Sequence, residues 1–434
     1  MVSAGHDDTV KDSASLEVVA LRREVTRNLH LRNFSETTST RRRSIVSGMT
    51  RPTALALLGL LTFASAARAQ VTPAAGYTPP DDTPQIRVGM TLYPLFTVQT
   101  DPNVTDADGN SVNRNQFDVS RAYINITGQI SHLIAFRITP DITRQSGIVN
   151  GAQVTSDSLV YRIKYAYAQF NLDDWMTRGS WVRLGIQQTP WVDYDEGIYR
   201  YRFQGTTFVE RQPLLTTMTS SDAGVSFHYN FPSNYGDVHL GVYNGENYQR
   251  VEVNDQKGFE FRGTVRPLPS GPPVLRGLRG HLVYYNDNYN SGDERKRLMG
   301  NVTFEHKFIN AEFDSLSAKD KVTAIAADVE SSGWAFWATP RYPKDDGSSF
   351  EALIRYDHFT PNTSTNFAPA ASAPNPVTQL TTQHQNRTIV GLAYWFPHQG
   401  NVSTAIMVDY DGQHFDNLTA APVKAVFLHG LINF

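Results

Sequence analysis

The stretch Lys424–Phe434, KAVFLHGLINF, alternates with a period of two. Val426, Leu428, Ile432 and Phe434 share one parity, interrupted by Gly430. Ala425, His429 and Asn433 fall on the other, with Phe427 and Leu431 among them. Successive side chains of an extended chain point to opposite faces, so the pattern is a strand with one greasy face. Repeated along most of a secreted chain, it predicts an all-β fold, a transmembrane antiparallel β-barrel. Function would then follow from a hole rather than from a catalytic cluster.

The chain has 434 residues, 12 His and no Cys. Without Cys there are no disulfides, thiolate metal sites or thiol nucleophiles. Residues 54–67 are strongly apolar, follow Arg51, and end in Ala67-Arg68-Ala69. That spacing reads as a secretory signal peptide over 49–69, too short for a comfortable membrane span. Residues 1–48 read as a disordered or mis-annotated extension, with translation expected to start at Met49. Residues 70–85, rich in Pro, Ala and Thr, read as a flexible lead-in to a barrel over 86–434. Residues 70–434 keep 29 basic and 36 acidic side chains, a formal charge of about −7. Nucleic acid is not an expected partner, because phosphate binding needs a basic footprint.

Sixteen strand segments are predicted, with 14–18 as the range. They are 86–98, 116–129, 131–139, 160–170, 180–188, 221–230, 236–244, 258–267, 277–286, 297–306, 308–318, 332–340, 349–358, 387–396, 401–410 and 424–434. Most have the length of a tilted strand crossing a hydrocarbon layer. An even number lets an antiparallel barrel close with both ends on one side. Closure removes edges that lipid cannot hydrogen-bond. Phe259, Phe261 and Val265 oppose Glu260, Arg262 and Thr264. Tyr161, Ile163, Tyr165 and Tyr167 are placed opposite Arg162 and Lys164. No helix is expected after the leader. Trp175, Trp181, Trp191, Tyr229, Tyr243, Trp395 and Tyr410 lie near strand ends and are expected as aromatic rims. Asp106-Ala107-Asp108-Gly109-Asn110 lacks the final Glu of a twelve-position calcium loop and reads as a turn.

From residues 116–128 and 183–190 onward, the chain resembles the phosphate-selective porin O and P family. An Arg-containing strand ends in Gly128 before a tight turn. Arg183-Leu184-Gly185-Ile186-Gln187-Gln188-Thr189-Pro190 is similar to that family's Gly-x-Gln-x-x-Pro signature, and Asp222-Ala223-Gly224-Val225 to its return strand. Phe434 resembles the terminal assembly signal of outer-membrane barrels. The resemblance implies sixteen strands, a homotrimer, and a third loop, residues 189–221, folded into the channel. It makes Asp193, Asp195, Glu196, Arg200, Arg202, Glu210 and Arg211 candidates for the constriction. By parity, Arg121, Arg137, Arg162, Lys164, Arg183, Glu260 and Arg262 are candidates for the pore wall. Lys is confined to Lys164 and Lys257 between residues 70 and 259, and acids accompany the loop arginines. A general or mildly anion-selective pore is therefore expected, not a tight phosphate channel.

The expected function is passive diffusion of small hydrophilic solutes or ions across the outer membrane of a Gram-negative-type bacterium. Fixed charges in a narrow, low-dielectric passage would set selectivity. Arg200, Arg202 and Arg211 facing Asp193, Asp195 and Glu196 would create a transverse field. Outer-membrane lipid, lipopolysaccharide and the barrel-assembly machinery are the expected partners; no cofactor or metal is expected. One rival is a closed barrel serving adhesion, binding or structure. A second is a barrel enzyme, which would need a clustered Ser, His or Asp, and a third is a secreted soluble β-protein. The histidines are scattered, with no His-x-x-x-His and no Gly-x-Ser-x-Gly, so no enzyme is expected.

Overall fold

The computed structural model describes residues 82–434 apart from 145–147, 150–151, 154–157, 212–217, 253, 289–291, 323–326, 364–383, 399 and 416–421. The extension, signal peptide and most of the lead-in lie outside the described residues. The strands are β1 (Gln85–Thr105), β2 (Ser111–Gln129), β3 (Ile134–Arg144), β4 (Ile148–Val149), β5 (Ala152–Gln153) and β6 (Leu159–Asn171). Next come β7 (Trp181–Gln188), β8 (Ser221–Asn230), β9 (Gly236–Tyr243), β10 (Gly258–Val265), β11 (Leu278–Asn288) and β12 (Glu294–His306). The last are β13 (Ile309–Val322), β14 (Ala327–Pro343), β15 (Ser349–Thr360), β16 (Gln385–Trp395), β17 (Ser403–Phe415) and β18 (Val423–Asn433). β4 and β5 form a small separate hairpin, and the other sixteen close one barrel.

Each barrel strand pairs antiparallel with its chain neighbour, and β1 closes on β18 with Phe96 opposite Leu428. The Met90 N–H donates to the Phe434 carbonyl at 2.9 Å and the Phe434 N–H donates back at 3.0 Å. Thr91 Oγ1 donates to Asn433 Oδ1 at 2.6 Å, so side chains reinforce the seam. A closed ladder leaves few backbone groups for lipid to strand. Among the described residues no helix is long and apolar enough to cross a membrane; the strands cross it.

Burial is inverted relative to a water-soluble sheet. Leu184, Val265, Leu282, Leu298, Ile354, Leu392 and Val408 are exposed on the outside, while Glu260, Arg262, Arg297, Glu351, Arg355 and Asp409 are buried within. Alternation with a period of two thus produces an apolar outer wall and a charged lining.

Four expectations need correction. Tyr165 and Tyr167 point inward, not outward with Tyr161 and Ile163. Thr139 pairs with Tyr165 and Pro140 with Ile163, leaving Lys164 as an extra residue. This bulge resets the parity, and both Lys164 and Tyr165 face the interior. A nine-residue helix, α1 (Pro190–Ile198), does follow the leader. Most of the stretch between the first two predicted strands, read from the sequence as a loop over 100–115, is strand, with only 106–110 left to turn, where Asp106 Oδ1 accepts the Asn110 N–H at 2.8 Å. Finally, Trp181, Trp191, Tyr243 and Trp395 are buried inside rather than set in an outer rim, whereas Trp175 and Tyr410 are exposed.

Candidate functional site

The long loop after β7 folds into the barrel. Thr189 Oγ1 donates to the Thr219 carbonyl at 2.6 Å and closes the loop's neck. Pro190 starts α1, where its fixed φ suits the first helical position and its missing N–H costs nothing. A helix this short is marginal alone, so packing must hold it. Trp191 and Val192 are fully buried, and the Trp191 N–H donates to Glu260 Oε1 at 2.9 Å. Glu260 on β10 thus places a carboxylate at the positive end of the helix. Farther along, Arg200 Nη1 meets Glu351 Oε1 at 2.8 Å and Tyr201 donates to Glu351 Oε2 at 3.0 Å, both on β15. Arg355 donates to the Thr206 carbonyl at 2.8 Å, and Gln204 donates to Asp409 on β17 at 3.3 Å. Tyr199, Tyr201 and Phe203 pack with Trp337, Leu353 and Trp395 of the wall. The loop therefore bridges the bore, anchored by buried aromatics and charge-assisted hydrogen bonds.

A gap remains on the side of β1, β2, β3 and β6. Lys164, Arg137 and Arg202 line it with Glu196, and Tyr93, Tyr123 and Tyr165 form its aromatic part. Thr91, Asn125 and Thr139 supply neutral polar groups. Its free space is about 40 Å³, a few waters' worth if each needs ~10–15 Å³. Arg202 Nε is 2.7 Å from Glu196 Oε1, and Lys164 Nζ is 3.7 Å from the same oxygen. Arg137 donates to Asn125 Oδ1 at 3.0 Å and lies 4.4 Å over the Tyr165 ring. Burial pushes the Glu196 carboxyl up, but Arg202 and Lys164 outweigh it and hold the carboxyl below its usual range.

The remaining predicted residues fall in several places. Asp193 reaches toward Arg183, 3.7 Å away, on another face of α1. Asp195 is buried, and this burial, with Asp314 nearby, pushes its carboxyl well up. Arg200 points across the bore to Glu351 and lies 4.2 Å over Trp395. Glu210 pairs with Arg202 at 3.2 Å. The Arg211 side chain lies outside the described residues. Of the loop cations expected to set up a transverse field, Arg202 pairs with Glu196 and Glu210 of its own loop and Arg200 with Glu351 of the wall. Arg121 and Arg162 both meet Asp141 at 2.9 Å. Arg183 is buried beneath Asp193, and Arg262 pairs with Asp237. Phe434 sits at the seam, half exposed.

Sequence reading missed the tyrosines around the gap and the acidic partners Asp141, Glu351 and Asp409. Glu351 was visible by parity with Arg355. Tyr165 was hidden by the bulge, which no alternation pattern reveals.

A closed sixteen-strand barrel with an apolar outside and a charged, loop-narrowed inside defines an outer-membrane channel, a porin. The family model described as phosphate-selective porin O and P matches residues 96–303. The resemblance read from the sequence is thereby shown over those residues. Among solved structures, a loop L8 deletion mutant of OmpT, an outer membrane protein of Vibrio cholerae, is similar at 11% identity and TM-score 0.50, covering 81% of this chain and 100% of that one. An anion-selective porin from Comamonas acidovorans is similar at 9% identity and TM-score 0.50, with the same coverage of 81% and 100%. At such identities the likeness is one of fold. No curated protein matches the sequence.

Proposed function

We propose that the chain conducts small hydrophilic solutes and ions by passive diffusion, with a mild preference for anions, and performs no catalysis. The loop over 189–221 acts as the constriction, and the gap beside Lys164 is the passage. The single observation that carries this reading is the lining itself: Lys164, Arg137 and Arg202 face Glu196, and Glu210 behind the gap pairs with Arg202 as well. In a low-dielectric channel that excess focuses a positive potential of a few kT. The pairing of Arg202 and Lys164 with Glu196 keeps the potential modest, which argues for mild selectivity over tight phosphate binding.

We assign the working form as a homotrimer embedded in outer-membrane lipid and lipopolysaccharide, inserted by the barrel-assembly machinery. Reversal potentials across a salt gradient in planar bilayers test the channel. Anion preference that falls in Lys164→Ala is the expected result, and an unchanged or cation-selective wild type would remove the assignment. A closed binding or structural barrel is the second reading, favoured by the narrowness of the gap; a purified protein that carries no current selects it.

A further inference from the structure

A larger cavity, about 420 Å³, lies against another face of α1. Trp181 opens β7, Arg279 is the second residue of β11, and His228 and Glu305 are close to the ends of β8 and β12. The cavity therefore sits at the end of the barrel that carries the short turns. Three arginines and two acids line it, and one of the acids, Glu305, is paired through Oε2 with Arg279. Arg183 and Arg262 come from the wall, while Asp193 comes from the loop and Glu305 from β12.

Arg183 and Arg262 are deeply buried and the other charges are more open: side-chain exposure is 1% and 5% for these two arginines, against 19% for Arg279, 24% for Asp193 and 35% for Glu305. Arg183 donates through Nε to Gln169 and through Nη1 to Gln188, and Arg262 through Nη1 to Thr264 and Nη2 to Asp237, so their remaining N–H groups are the ones a ligand would use. Arg183 stops 3.7 Å short of Asp193, too far for a hydrogen bond. Arg262 Nε has no hydrogen-bond partner among the described residues, and neither does Nε2 of the buried His239 beside it. A buried polar atom left unpaired costs free energy that a ligand oxygen would recover. The ring faces offer little. Arg183 covers Trp181 at 3.7 Å while His228 stacks on it at 5.1 Å, and Arg262 covers Tyr194 at 4.7 Å. Stacking of a planar ligand is thus disfavoured, and recognition falls to the charges.

We propose that this cavity is a binding subsite for small zwitterions of the α-amino acid type. The ligand carboxylate accepts from Arg262, His239 and Arg183, and its ammonium donates to Asp193 and to Glu305 Oε1, the oxygen opposite the one that Arg279 holds. A simple anion would satisfy the first set and be repelled by the second. The inference rests on the channel reading above, because the ligand must reach the cavity from water.

The test uses full-length protein in planar bilayers, with L-glutamine added to the side facing the short turns. Acetate, methylammonium and N-acetylglycinamide serve as controls carrying one charge or none. Glutamine is expected to reduce ion current with saturation, and the controls to do so only at much higher concentration. Asp193→Asn and Glu305→Gln are each expected to raise the half-saturating glutamine concentration about tenfold, the effect of losing one charge-assisted hydrogen bond. Ion current in each variant shows that it has folded, and Asp193 lies on the loop, away from strand pairing. Acetate acting as strongly as glutamine would overturn the zwitterion assignment, as would unsaturated or unchanged block in both variants. Absence of any wild-type current would instead overturn the channel reading.

Discussion

Glu196 is the residue on which the electrostatics of the gap turn. Among the described residues it is the one carboxylate lining the gap against Lys164, Arg137 and Arg202. Its folded pKa lies below the ordinary 4.5. A depressed carboxyl contributes stability above its unfolded pKa, and that contribution is lost as pH falls through the folded value. Acidification through this lowered value, below the ordinary carboxylate range, therefore leaves the cations uncompensated and is expected to raise the anion-to-cation permeability ratio. Glu196→Gln should show the raised ratio already at neutral pH, by roughly threefold for about one kT of local potential, with no further acid step. Reversal potentials at several pH values check this, and a variant that titrates like the wild type would refute it. Glu196 and Arg202 were legible as candidates because the family resemblance places their loop in the channel, and Lys164 because parity sets it on the lumen face. Which charge meets which was not legible, since pairing depends on how the loop crosses the bore.

At the scale of elements, alternation is a local property and survived well: all sixteen expected segments overlap barrel strands. What failed was any step that broke the period. Lys164 is inserted into β6 opposite the Thr139–Pro140 step, and the faces exchange there. The helix α1 has Pro190 as a start signal, but its stability comes from wall contacts distant in sequence. Gly185 marks a third local exception. Its φ is +126°, and a Cβ there would lie 2.3 Å from the Ala166 carbonyl oxygen. An L side chain at that position meets both backbone strain and a backbone clash, so Gly185→Ala should destabilise the β6–β7 pairing by about 1–3 kcal/mol. A lower temperature for loss of the compact, heat-modifiable band on gels is the expected result. The loop's far anchor makes a separate prediction. Arg200→Ala leaves Glu351, 1% exposed at its side chain, with a charge whose main partner is gone. Breaking a buried pair costs up to about 3–5 kcal/mol, and here Tyr201 and Ser349 still bond Glu351. The expected outcome is a loosened loop rather than an unfolded barrel, read as larger and noisier single-channel current. Unaltered conductance would show that Arg200 does not hold the loop.

For the whole molecule, closure depends on strands distant in sequence staying in register, and the turn side carries a tie that spans several of them. His132, between β2 and β3, contacts Asp82 just before β1 through Nδ1 and Asp174, after β6, through Nε2 at 3.1 Å. Since the barrel order runs β1, β2, β3, β6, one imidazole joins the ends of four strands. The hydrogen bonds to Asp82, then Asp174, raise the His132 pKa above 6.5. A raised histidine contributes stability that is fully present below its unfolded pKa and is lost as pH rises through the folded value. His132→Ala should therefore lower the heat-modifiability temperature more at pH 6 than at pH 9, where the wild-type imidazole has also lost its charge. The side chain is exposed, so salt should shrink the pH 6 difference as well. A deficit that is equal at both pH values would mean that the ring acts by packing alone and that the charge contributes nothing to holding the turn side together.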